Sequence, residues 1–203
     1  MDKLYYMSDL FDLIKEIASD GIITTGQIEK AGISRIYIKA LVEEGRLIKE
    51  AKGVYSISGE YPDEYKILQV RSQKMVFSFG TALYLWGMSD RVPHRIDVTV
   101  PQGYNVSRIK KDNPKIRFHY AQPEKWNTGI TETKTPMGSN IKLYDKERCI
   151  CDLILMKDEV DKQLYIHAVK EYFNKNCNAR RLLAYARLFR IEERVRDYME
   201  ILI

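Results

Sequence analysis

The stretch Gly32–Ile57, GISRIYIKALVEEGRLIKEAKGVYSI, decides how the chain begins. Ser34 is an N-cap residue directly before an apolar-periodic run, and Gly45 is a left-handed stop after it. Between them Ile38, Leu41 and Val42 fall at i, i+3 and i+4, the spacing of one helix face. The runs RLIKE and GVYSI then alternate apolar and polar residues at period two, with Ala51-Lys52-Gly53 as their turn. Helix and hairpin thus follow each other within 26 residues.

Upstream, Ser8 is the expected cap of a first helix with Leu10, Leu13, Ile14 and Ile17 on one stripe, stopped by Gly21. Thr25 is the expected cap of a second, GQIEKA, ended by Gly32. Helix, helix, turn, helix, hairpin in about 55 residues is the order of a winged helix-turn-helix. Residues 1–58 are assigned to it, 59–63 to a linker containing Gly and Pro, and 64–203 to a second domain.

In that second domain MVFSF reads as a strand and GTALYLWGM as a short helix. Short alternating runs follow: RIDVTVP, KIRFHYAQP, GITETKTP and NIKLYD. From Asp145, an N-cap candidate, the pattern is helical to the end, with helices expected near 160–174, 178–189 and 191–202. Strands followed by helices predict an α+β fold: the winged helix-turn-helix, then a larger mixed domain with a small β-sheet and C-terminal helices.

Bulk composition narrows the function classes. The chain has 203 residues, 45% hydrophobic and 30% charged, the balance of a globular protein with a real core. No apolar run reaches the roughly 18 residues of a membrane span, and no secretory core is visible. Three cysteines, Cys149, Cys151 and Cys177, fit reduced thiols in a cytoplasm. The net charge is +5, unevenly spread: −2 over 1–60, +6 over 61–144 and +1 over 145–203.

The third helix carries the candidate chemistry. Its inward stripe leaves Arg35, Ile36, Tyr37, Lys39, Ala40 and Glu43 outward or partly so. The early positions lie where a recognition helix reaches base edges. Arg35 suits guanine or phosphate, and Lys39 follows the groove one turn on. Ser34 and Tyr37 offer hydroxyls to phosphates, and Lys49 and Lys52 charge the wing. The competing reading is a winged corner for protein contacts, with Arg35 and Lys39 as solvated residues; the segment's charge of −2 favours it.

Two further basic groups stand in the second domain. Arg108, Lys110, Lys111, Lys115 and Arg117 cluster in SRIKKDNPKIRFH. Arg180, Arg187 and Arg194 recur every seven residues near one helical face, with Arg190 close by. Arg187 and Arg190 are candidate phosphate contacts; the alternative is a solvated face with internal ion pairs. Arg91, His94, Arg95 and Asp97 form either a functional surface or a loop fixed by Arg–Asp pairing. Arg148 and Asp152, at i and i+4, are placed to pair.

Enzyme readings are thin. Asp97 with Glu132-Thr133-Lys134 mimics the acidic residue and Glu-x-Lys of metal-dependent nucleases, but such a triple is common in a chain this charged. Cys149 and Cys151 point about 200° apart on a helix and do not suit one zinc ion. No phosphate loop, G-x-S-x-G or H-E-x-x-H occurs. No cofactor, metal or catalytic residue is expected.

TTGQIEKAGISRIYIKALVEEGRLIKEAKGVYSI resembles the N-terminal winged helix of the AbiEi antitoxins of abortive-infection type IV toxin–antitoxin systems. FSFGTALYLWGMSDRVPHRIDVTVPQG and IKLYDKERCICDLI are similar to segments of that family's second domain, with Cys149 and Cys151 departing from the Thr or Ala expected there. The resemblance implies a phage-defence antitoxin that also represses its own operon by binding double-stranded operator DNA at upstream repeats. It also implies a nucleotidyltransferase-like toxin countered without a stable complex. The runner-up is a winged-helix DNA-binding protein whose second domain is nuclease-like or binds a partner.

Overall fold

A computed structural model describes residues 2–175 and 177–202, with side chains described from Met7. The chain divides into two compact units, Met1–Gln73 with Lys134–Ile141, and Lys74–Thr133 with Lys142–Ile203.

In the first unit, α1 (Asp2–Ile17), β1 (Ile22–Thr24), α2 (Thr25–Lys30), α3 (Arg35–Glu43), β2 (Leu47–Ala51) and β3 (Val54–Ile57) follow in order. The strands form one antiparallel sheet, β1-β3-β2. This is the winged helix-turn-helix order. Helix α1 starts at Asp2, so Ser8 lies inside it and caps nothing. Its buried stripe uses Met7 and Ile14, with Leu10, Phe11 and Ile17 partly buried, while Leu13 is exposed. The cap of α2 is Thr24, one residue before the expected Thr25. The Thr24 hydroxyl accepts from the Gln27 N–H while the Thr24 N–H donates to Gln27 Oε1, a reciprocal capping box.

Ser34 caps α3 as expected, its Oγ accepting from the Ile36 N–H. Gly45 ends the helix at φ +70°, a conformation that costs other residues more than glycine. The Arg46 N–H donates to Leu41 O at 2.9 Å and the Gly45 N–H to Val42 O at 3.1 Å, a Schellman stop. Ile28, Ile33, Ile38, Leu41, Leu47 and Ile57 join Met7, Ile14 and Ile23 in a single apolar core. That core fixes which face of α3 remains outside. Past the wing, Asp63 caps α4 (Glu64–Val70) through the Tyr65 N–H and accepts from the Thr135 hydroxyl.

After α4 comes a mixed sheet of order β6-β5-β4-β8-β7: β4 (Val76–Phe77), β5 (Ile96–Pro101), β6 (Ile116–Ala121), β7 (Ile130–Lys134) and β8 (Asn140–Tyr144). β4 pairs antiparallel with β5 and parallel with β8; β5 and β6 are parallel. Parallel neighbours need crossovers. α5 (Phe79–Leu85) lies between the antiparallel β4 and β5, α6 (Ser107–Asp112) forms the crossover between the parallel β5 and β6, and α7 (Pro123–Asn127) lies between β6 and β7 in sequence. The last two replace what the sequence presents as turns within an unbroken β region. The fold class is α+β, as expected.

The C-terminal helices are α8 (Lys146–Leu155), α9 (Lys162–Lys175), α10 (Ala179–Phe189) and α11 (Glu192–Leu202). Asp145 caps α8 through the Arg148 N–H at 2.8 Å. α8 is buried from Glu147 to Ile154. Arg148 Nε donates to Asp152 Oδ1 at 2.9 Å, and its Nη1 donates to the carbonyls of Thr128, at 2.9 Å, and Lys125. Its guanidinium lies over the Tyr144 and Phe189 rings. The i, i+4 pair thus ties α8 to the α7–β7 connection. Gly129, at φ +80°, has no room for a side chain: a Cβ there would stand 2.7 Å from Arg148 Cβ.

Candidate nucleic-acid interface

The outward face of α3 follows from its inward one. With Ile38 and Leu41 in the core, Ser34, Arg35, Ile36 and Lys39 are left exposed. Tyr37 and Ala40 are half-buried and pack on the core. Tyr37 is therefore part of the helix seat as well as a candidate contact.

Arg35 is not a free cation. Its Nη2 donates to Glu29 Oε2 at 3.1 Å and its Nε to Glu29 Oε1, a two-pronged pair across the α2–α3 turn. The pair is solvent-exposed, and the bonds from Arg35 hold the Glu29 carboxyl below its ordinary value. The fork orients the guanidinium at the start of α3. Lys39 stands 3.6 Å from Glu43, one turn on, with both side chains well exposed. Pairs of this kind are weak and open easily.

The wing differs. Lys49 on β2 and Lys52 in the β2–β3 turn are exposed. Neither has an ion-pair partner among the described residues. Of the four cations proposed in this unit, the two on the wing carry unopposed charge, and the two on α3 share theirs with carboxylates.

In the second unit the sequence-proposed arginines separate. Arg190 adopts a left-handed conformation at φ +59° and ends α10. Arg180 and Arg187 therefore lie on one helix and Arg194 on the next, and the seven-residue stripe does not continue. Arg194 donates to the Ile154 carbonyl. Arg187 donates to both Glu192 oxygens, at 2.9 and 3.2 Å, and Arg196 donates to the same carboxylate. Arg190 remains exposed, while Arg187 sits in a local ion-pair network.

The loop cluster also resolves. Asp97 lies on β5 beside β6, with His119 Nε2 2.9 Å and Arg117 Nε 3.9 Å from its Oδ1. Arg91 instead pairs with Gln163 and stands 4.0 Å from Asp161. Asp97 is fixed by a pairing, but not with the arginines beside it in sequence. The nuclease-like trio is not assembled. β4 and β8 separate β5, which carries Asp97, from β7, which carries Glu132; three strand spacings are about 14 Å. No group of three or more metal-ligating side chains occurs among the described residues. Cys149 and Cys151 are fully buried, and burial pushes the Cys151 thiol up to about 12. No helix among the described residues is long and apolar enough to cross a membrane.

A three-helix core, a two-stranded wing and a capped third helix with its polar face outward define a winged helix-turn-helix protein. Residues 12–58 match the model of a family described as transcriptional regulator, AbiEi antitoxin, so the winged-helix segment is similar to that family. The crystal structure of the RV2827C protein from Mycobacterium tuberculosis is similar, with a TM-score of 0.60 at 15% identity over 89% of this chain and 69% of that one. This likeness extends the shared fold beyond the family-matched segment. No curated protein matches the chain.

Sequence reasoning missed Glu29, which no short-range pattern links to Arg35. It noted Ile36 as outward without giving it a role, yet Ile36 is 78% exposed at the front of α3.

Proposed function

We propose that this protein is a cytoplasmic antitoxin-type transcriptional regulator that binds double-stranded DNA upstream of its own operon through the winged helix. The observation that carries the reading is the outward face of α3, with Ser34, Arg35 and Lys39 exposed, together with the exposed wing lysines Lys49 and Lys52, which have no ion-pair partner among the described residues. The N-terminal part of such a helix reaches base edges in a major groove, and wing cations neutralise phosphates. The match of residues 12–58 to a regulator family supports it.

In this reading the second unit counters a nucleotidyltransferase-like toxin of a type IV abortive-infection system without a stable complex. It acts as a non-enzyme, and Arg190 adds a phosphate contact. Two experiments test the two roles. Purified protein is titrated onto DNA from immediately upstream of its gene and onto scrambled DNA of equal length. Selective binding lost in Arg35→Ala and Lys39→Ala is expected; equal, weak binding to both DNAs would overturn the repressor role. Co-expression with the neighbouring toxin gene should restore growth, and arrest despite folded protein would overturn the antitoxin role.

A further inference from the structure

We infer that Ile36 is a base-reading residue, and that it packs on the C5-methyl group of a thymine in the major groove. The inference rests on the DNA-binding reading of α3 and deepens it by assigning one contact.

The geometry supports it in three ways. Ile36 is the second residue of α3, in the turn that enters the groove first. At 100° per residue it lies about 160° round the helix from Ile38 and about 140° from Leu41. It is therefore turned away from the core and has no packing role there, as its exposure shows. A single exposed aliphatic residue is ordinary on a protein surface. This one differs in its neighbours. Arg35 precedes it and Lys39 is three residues on, so Ile36 is the apolar member of a face whose other members suit phosphates and acceptor edges. Base edges in the major groove offer one apolar feature, the thymine methyl, which apolar side chains contact. Arg35, steered by Glu29 through its fork, is placed to hydrogen-bond the adjacent base while Ile36 covers the methyl.

The test begins with selection of a preferred site from a randomised duplex pool by the full chain. Each thymine of that site is then replaced in turn by deoxyuridine, which removes only the methyl. Binding of the wild type and of Ile36→Ala is measured at a salt concentration low enough for both to bind. Ile36 is exposed and helical, so alanine there leaves the fold intact. The wild type is expected to lose about three- to fivefold affinity at one thymine of the site, the worth of one buried methyl. Ile36→Ala is expected to lose nothing at that position. A selected site with no methyl-sensitive thymine, or equal loss in both proteins, overturns the contact and leaves DNA reading intact. A pool that enriches no sequence overturns both.

Discussion

The wing supplies the sharpest quantitative expectation. In Lys49→Ala/Lys52→Ala two exposed cations without carboxylate partners among the described residues are removed, and no core residue is touched. Each phosphate neutralised on duplex DNA contributes about 0.9 to the slope of log K against log salt. If both lysines contact phosphate, the double variant's slope is shallower by about 1.8. A fourfold rise in salt, from about 50 to 200 mM, then shrinks the wild type's advantage by about twelvefold. Fluorescence anisotropy with a labelled upstream duplex at four or five salt concentrations measures both slopes, and circular dichroism checks that the variant is folded. Because Arg35 and Lys39 each share charge with a carboxylate, the wing should account for much of the salt dependence. Identical slopes in the two proteins would refute the reasoning and leave the wing out of the interface.

Other expectations follow from the pairings. Glu29→Gln removes the partner that orients Arg35 and a carboxylate that repels phosphate. Binding to scrambled DNA should strengthen and the ratio of specific to scrambled binding should fall; an unchanged ratio would show the fork to be incidental. Arg148→Met leaves Asp152 buried beside an apolar side chain and frees the carbonyls of Lys125 and Thr128, so urea unfolding should show a loss of about 3–5 kcal/mol, against well under 1 for an exposed pair. Burial raises the Cys149 and Cys151 thiols above their ordinary value, which suppresses the reactive thiolate at pH 8. A disulfide-exchange reagent should therefore react with no thiol other than Cys177 in the native protein, and with all three after unfolding; fast labelling of two or more native thiols would contradict the buried α8.

The opening stretch was legible because its signals are short-range. Ser34 reaches an N–H two residues away, Gly45 closes a stop within one turn, and the wing's period-two pattern joins neighbouring strands through a tight turn. Buried hydrophobic spacing gave the inward face of α3, and with it, by exclusion, Arg35, Ile36 and Lys39. The start of α1 was misplaced because Ser8 has a capping side chain, yet the apolar stripe continues upstream of it through Met7. A cap residue inside a helix is permitted when the helix is held by its core, and composition does not reveal which case applies.

What the sequence by itself determined about this protein is the order of the winged-helix elements, the α+β class and the outward residues of α3, since each rests on periodicity or on contacts within a few residues. The tertiary structure alone decided which charges are free. Glu29 meets Arg35 because α2 and α3 cross at a particular turn, Asp97 meets His119 because β5 lies beside β6, and the arginine stripe is broken because Arg190 turns left-handed between two helices. Spacing along a chain fixes direction on one helix or strand. A charge finds its partner only when separate elements pack, and here that packing left the wing lysines unopposed and Ile36 bare.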